Sequence, residues 1–289
     1  MTCWGRIPLI GIVLLLPALR ARAAVQADST SGGNDEAKAF VRWKLWGEIY
    51  DESTRFQKLQ NNLISTTHIR QGIRLYWTPT VYTEAYGMVR YGKDMNRDFW
   101  NNRFEAGVGL RTRFFEKVFL AFYLENLRVT YRSVPEEYPQ PERRQLRDWR
   151  AGAIFWYGWD RWFSPEHWIA FPLIAWGEAY SELNYFHSER DNVFWYLQTR
   201  SGFHLVRVWQ SEIDGYGVLY LLKDVNRDFW NNKAEWGPGI WFKPWVELSL
   251  QIYAEWLTCA YFGIEGRDPN PYAQRYRDRR VGVLFWIGW

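Results

Sequence analysis

Around residue 105 polar and apolar residues alternate one for one. Phe104, Ala106, Val108 and Leu110 fall on one face, and Arg103, Glu105, Gly107, Gly109 and Arg111 on the other. A period of two marks a strand with two unlike faces, because successive side chains of extended backbone point to opposite sides. Val118, Leu120, Phe122 and Leu124 alternate with Tyr123 and Glu125 in the same way. Leu248, Leu250, Ile252, Ala254 and Trp256 oppose Glu247, Gln251, Tyr253 and Glu255. Alternation and turn signals predict twelve strands, near 39–51, 62–77, 80–91, 101–114, 117–132, 147–159, 169–181, 192–209, 211–222, 231–243, 245–262 and 278–289. Pro79 and Pro244 fall in connections, where proline harms no ladder, whereas Pro238 falls inside the tenth segment and calls for a bulge there. The polar stretch Ser133–Asp148 reads as a long loop.

The pattern is written twice. KDMNRDFWNN (Lys93–Asn102) returns as KDVNRDFWNN (Lys223–Asn232), and RAGAIFWYGW (Arg150–Trp159) returns as RVGVLFWIGW (Arg280–Trp289). Trp46, Glu48, Arg70, Tyr86, Tyr123 and Glu125 each find their counterpart at the same offset, in Trp176, Glu178, Arg200, Tyr216, Tyr253 and Glu255. Two copies are too few for a solenoid and suit a sheet closed from two similar halves, about 39–159 and 169–289.

Composition says what surrounds such a sheet. Aromatic residues make up 19% of the chain, with 20 Trp, yet the mean hydropathy is −0.41. A soluble core needs no such excess, whereas a transmembrane barrel places aromatic girdles outside and polar side chains inside. At the N-terminus, Arg6, the apolar run Ile7–Leu19 and Ala21-Arg22-Ala23 have the layout of a secretory signal peptide over residues 1–23. A short polar segment (24–38) precedes the single barrel domain (39–289). Cys259 is then the one thiol left, which excludes an internal disulfide. The net charge of +4 comes without a basic block, so no nucleic-acid partner is expected.

The C-terminal strand, with Arg280, Gly282, Phe285, Ile287 and terminal Trp289, resembles that of bacterial outer-membrane barrels. The resemblance implies an outer-membrane location, outer-membrane lipid as surroundings and the barrel assembly machinery as a partner in biogenesis. Asn101–Arg111 and Asn231–Pro244 look like strands from the barrels of exopolysaccharide-export and phage-adsorption porins, which implies an envelope pore.

Candidate chemistry lies on the inward face. By alternation that face carries Trp46, Glu48, Arg70, Arg74, Glu84, Tyr86, Arg103, Glu105, Arg111, Tyr123, Glu125, Arg150 and Trp156 from the first copy. The second copy adds Trp176, Glu178, Arg200, His204, Asp214, Tyr216, Lys233, Glu235, Trp241, Tyr253, Glu255, Arg280 and Trp286. Aromatic planes with charged hydrogen-bonding groups suit a path for a saccharide or other small solute. Equally, mixed charges can pair across the barrel and plug it, leaving an anchor for an envelope complex or a surface receptor. The expected function is a pore; a plugged barrel and an outer-membrane hydrolase are the alternatives. No enzyme and no cofactor are expected, because neither a G-x-S-x-G elbow nor an H-E-x-x-H helix occurs. In the decamers Asp94, Asn96 and Asp98, and Asp224, Asn226 and Asp228, have calcium-loop spacing, with Glu105 and Glu235 at the twelfth position. The glycine such a loop needs is replaced by Phe99 and Phe229, so the expectation is a turn fixed by Asp and Asn, with no metal.

Overall fold

The computed structural model describes residues 44–57, 61–78, 80–96, 101–115, 118–132, 145–163, 173–188, 191–226, 231–245, 249–262 and 275–289. The expected signal peptide and polar N-terminal segment lie outside them. The strands are β1 (Lys44–Phe56), β2 (Asn62–Trp77), β3 (Val81–Asp94), β4 (Arg103–Phe114), β5 (Phe119–Tyr131), β6 (Gln145–Phe163), β7 (Leu173–Phe186), β8 (Asn192–Val208), β9 (Ser211–Asp224), β10 (Lys233–Lys243), β11 (Leu250–Tyr261) and β12 (Arg275–Gly288). Each pairs antiparallel with its neighbours in sequence, and β1 also pairs with β12, which closes the sheet into a barrel. The expected all-β class and strand number hold.

Polarity is reversed relative to a soluble core. Val108, Leu110, Phe122, Leu124, Ile252, Trp256, Val281 and Val283 are exposed on the outer wall. Glu84, Glu105, Arg111, Glu125, Asp214 and Glu255 are buried on the inner face. Two apolar clusters share the interior with them. One contains Trp46, Tyr86, Met88 and Leu127, and the other Trp176, Tyr216, Tyr220, Trp241 and Leu257. Inward tyrosines lie across inward glycines of the next strand. A Cβ on Gly109 would come 2.6 Å from the Tyr86 ring, and one on Gly239 would come 2.5 Å from the Tyr216 ring. These glycines leave the space the rings occupy.

Several strands run further than the alternation indicates, β1 and β7 furthest, by five residues each. β1 continues through Phe56 and β7 through Phe186. Both faces of β1 turn polar there, which erases the period-two signal. Outward Ser53 meets Ser65 at 2.8 Å and Asp51 accepts from Thr67 at 2.5 Å, while Glu52 and Thr54 continue the inner face. Pro238 stays in β10 without the expected bulge. The β10–β11 register is the same on both sides of Gly237 and Pro238, but these two residues have no ladder partner on β11. The missing N–H is thus absorbed as a gap in one ladder. Register shifts occur instead between Arg74 and Tyr76 and between His204 and Val206.

The start of β1 and the end of β12 lie together at one end of the barrel, where Gly47 and Trp289 exchange backbone hydrogen bonds of 3.0 and 2.9 Å. This near end carries the tight β8–β9 connection. The far end carries the long connections from Tyr131 to Gln145 and from Tyr261 to Arg275.

Candidate functional site

The first half of the lumen holds two ionic clusters, one around Glu105 and one running from Glu84 through Glu48 to Glu125. Glu105 is fully buried and takes a bidentate pair from Arg150, both contacts 2.8 Å, with Arg103 at 3.0 Å and Arg90 at 3.3 Å. Arg150 also donates to Asp148 at 2.8 Å. Glu84, equally buried, is ringed by Arg111 at 2.9 Å, Arg74 at 3.2 Å and Arg113 at 3.5 Å. Arg70 spans from Glu48 on β1 (2.9 Å) to Glu125 on β5 (3.4 Å), and Tyr86 also donates to Glu125 at 2.8 Å. Each buried charge therefore has an opposite charge or a hydroxyl in contact, the condition under which charges are tolerated away from water.

The second half repeats the scheme with fewer charges. Glu235 pairs with Arg280 at 2.7 Å and Lys233 at 2.8 Å. Glu255 accepts from Tyr220 at 2.8 Å and Tyr216 at 3.0 Å, with Arg200 at 3.8 Å; Arg200 also reaches Glu178 at 3.1 Å. Tyr253 donates to Glu52 at 2.7 Å and Tyr123 to Glu182 at 3.3 Å, which ties the halves together. The inward residues named from alternation thus lie on the inner wall, and the pairing above draws most of them into these clusters. Alternation left out Glu52, Tyr180, Glu182, Tyr196 and Tyr220. They belong to polar stretches, or to stretches aromatic on both faces, where a period of two carries no signal.

At the near-end mouth the two halves differ. In the second half His204 Nδ1 lies 2.6 Å from Asp214 and 3.3 Å from Glu212. Lys243 Nζ lies 2.7 Å from Glu212 and 3.1 Å from Asp214, and Trp241 donates its indole N–H to Asp214. The Trp176 and Trp241 rings stack with centroids 4.3 Å apart. A recess of about 320 Å³ opens beside them, lined by Trp156, Trp176, Glu178, His204, Trp241 and Lys243 among others. This cluster corrects the expectation of no enzyme. One ligand atom from each of His204, Glu212 and Asp214 falls within 4.8 Å of the other two, a set able to hold a metal ion. The His204–Asp214 pair also matches the geometry of a base oriented by a buried carboxylate. No sequence motif carries it, because its members come from three strands, β8, β9 and β10, and alternation did not name Glu212 or Lys243. The readable signal was Glu212 two residues before Asp214, which puts both on one face.

The decamers sit at the far end as hairpin caps. Asp94 accepts from the Asn96 backbone N–H at 2.8 Å and from Asn101 at 2.8 Å, and Asn102 accepts from the Asp94 N–H at 3.0 Å. Asp224 accepts from Asn231 and Asn232, both at 2.9 Å, and from Asn192 at 3.3 Å. Asn62 and Asn192, at the starts of β2 and β8, accept from the backbone of Asn96 and Asn226, each at 3.2 Å. Asp98 and Asp228, with the Phe-Trp pairs beside them, lie outside the described residues. Aspartates bonded this way fix a turn. Asp224→Ala is expected to cost about 1–3 kcal/mol in urea unfolding, because buried amide donors lose their acceptor. On the turn reading, a calcium chelator leaves melting unchanged; a chelator-induced fall would instead reveal a bound ion.

No protein-family model and no curated protein sequence matches the chain. Among solved structures it is similar to the β-domain of the Bordetella autotransporter BrkA, at 11% identity over 87% of this chain and 100% of that one, with a TM-score of 0.40. It is also similar to an outer-membrane channel from Pseudomonas putida F1, at 8% identity over 90% and 100% of the two chains, TM-score 0.38. LpxR from Salmonella typhimurium matches at 6% identity over 82% and 99%, TM-score 0.35. Likeness at this level carries no activity from those proteins to this one.

Proposed function

We propose that this chain is a bacterial outer-membrane barrel whose lumen is filled, and that it serves as an anchored scaffold or surface receptor rather than as an open pore. The observation that carries the reading is the set of buried, inward-facing ion pairs around the barrel: Arg70 with Glu125, Arg111 with Glu84, Arg150 with Glu105, Arg200 with Glu255 and Arg280 with Glu235. An open channel would leave such groups hydrated. The apolar outer wall supports a lipid surround, since exposed apolar area of that extent is avoided in water. The two longest connections, β5–β6 and β11–β12, both lie at the far end and support an outward-facing far end and a periplasmic near end. The repeat at a spacing of 130, the N-terminal export signal and the C-terminal assembly signal are parts of the same reading.

Planar-bilayer recording tests it. The refolded barrel, checked by its heat-modifiable migration, is expected to insert without stable conductance steps. Steady steps that a sugar blocks would return the chain to the saccharide-pore reading.

A further inference from the structure

The two near-end mouths are built from equivalent positions, so each serves as a control for the other. Around the buried carboxylate, Glu84 in the first copy and Asp214 in the second, the sequence makes four changes. Arg74 becomes His204, Arg111 becomes Trp241, Arg113 becomes Lys243 and Tyr82 becomes Glu212. Three guanidinium groups are lost, one ammonium and one imidazole stand in their place, and one carboxylate is gained. The first mouth surrounds Glu84 with three arginines. The second leaves Asp214, Glu212 and nearby Glu178 facing one ammonium, one imidazole and Arg200, which is shared with Glu255. Carboxylates held out of water need positive charge in contact.

The lost charge is replaced by a side chain with a ligand nitrogen, and the wall opens at the same place. His204 follows β8 into the register shift between His204 and Val206, the kind of irregularity that re-aims a side chain. Its Nδ1 lies between the two carboxylates, and both it and Lys243 line the recess. A second observation points to a bound group. Trp176 also lines this recess, is 6% exposed, and its indole N–H has no acceptor. In the first mouth the equivalent N–H, on Trp46, also lacks an acceptor, but that ring lies beneath the Arg111 guanidinium at 4.6 Å.

We propose that the second mouth binds a divalent transition-metal ion through His204 Nδ1, Glu212 and Asp214. One imidazole and two carboxylates suit a zinc-like ion, and three protein ligands leave a coordination position open toward the recess. Lys243 is the competitor. Its ammonium contacts both carboxylates while lying over the Trp241 ring, 4.5 Å from the centroid. Metal binding therefore exchanges an internal cation for an external one.

Isothermal titration of Zn²⁺ into the full chain, refolded in detergent and verified by heat-modifiable migration, tests the proposal. One saturable site per chain is expected. His204→Ala should weaken binding by about tenfold or more, since a direct ligand is lost. Lys243→Met should strengthen it by about tenfold, the competing charge being gone. Arg113→Met, the matching change in the first mouth, should leave the affinity as it was. Three results would overturn the proposal: no saturable heat in the folded parent, an affinity unchanged by His204→Ala, or binding confined to Lys243→Met. The last would make the ammonium the resident cation and the cluster an ion pair only.

Discussion

Replacing Glu105 by leucine is expected to destabilise the barrel by about 3–5 kcal/mol, the range for breaking a buried ion pair from one side. Its carboxylate is the common acceptor of three guanidinium groups, at 2.8, 3.0 and 3.3 Å. Arg90 and Arg103 keep partial access to water, so the larger share of the loss falls on Arg150, whose side chain is 3% exposed. Arg150 retains Asp148 at 2.8 Å, which keeps the loss from exceeding this range. The double change Glu105→Leu with Arg150→Met removes both charges and should recover a good part of the stability. Urea unfolding of the refolded protein measures both. Equal losses in the single and double variants would mean that the site acts through packing alone.

The second large effect is a gain. Changing Glu48, Arg70, Arg111 and Glu125 together to serine removes two negative and two positive side chains that touch one another. The remaining carboxylate at this mouth, Glu84, keeps Arg74 and Arg113. No net charge is introduced, and the volume vacated runs from β1 to β5. Water-filled lumens conduct, so conductance steps should appear in a barrel that is silent before the change. Planar-bilayer recording compares the two directly. A heat-modifiable variant as silent as its parent would place the block in the second half, around Arg200 and Glu255.

Much of this was legible beforehand, for a physical reason. A wall with lipid-compatible residues on one side and charges on the other writes its period into the sequence, as Arg103–Arg111 shows. Alternation therefore gave the strands and most of the inner face. It fails where both faces are polar, as in the second half of β1, and where one missing N–H is absorbed by a ladder gap at Pro238. Pairing partners were beyond reach. Arg70 and Glu125 meet across intervening strands, a contact set by closure and stagger rather than by spacing. The near-end cluster was half visible. Alternation puts His204, Asp214 and Trp241 on the inward face, but Glu212 and Lys243 gain meaning only beside Tyr82 and Arg113. Comparing copies position by position, and looking for changes of charge rather than for conserved anchors, would have found it.

The β1–β12 joint has a consequence for assembly. Every other joint in the barrel links strands adjacent in sequence, so each forms across a short connection at low entropic cost. The β1–β12 joint unites Glu48 with Gly288 and Phe56 with Arg280, the most distant partners in the chain. Contacts of such separation form slowly. Until they form, the molecule is a curled ribbon with two bare edges, each able to accept a strand from another chain. The kinetic hazard of this fold is therefore concentrated in a single late step. A factor that shields β1 and β12 during that interval would suppress aggregation without touching any other part of the wall.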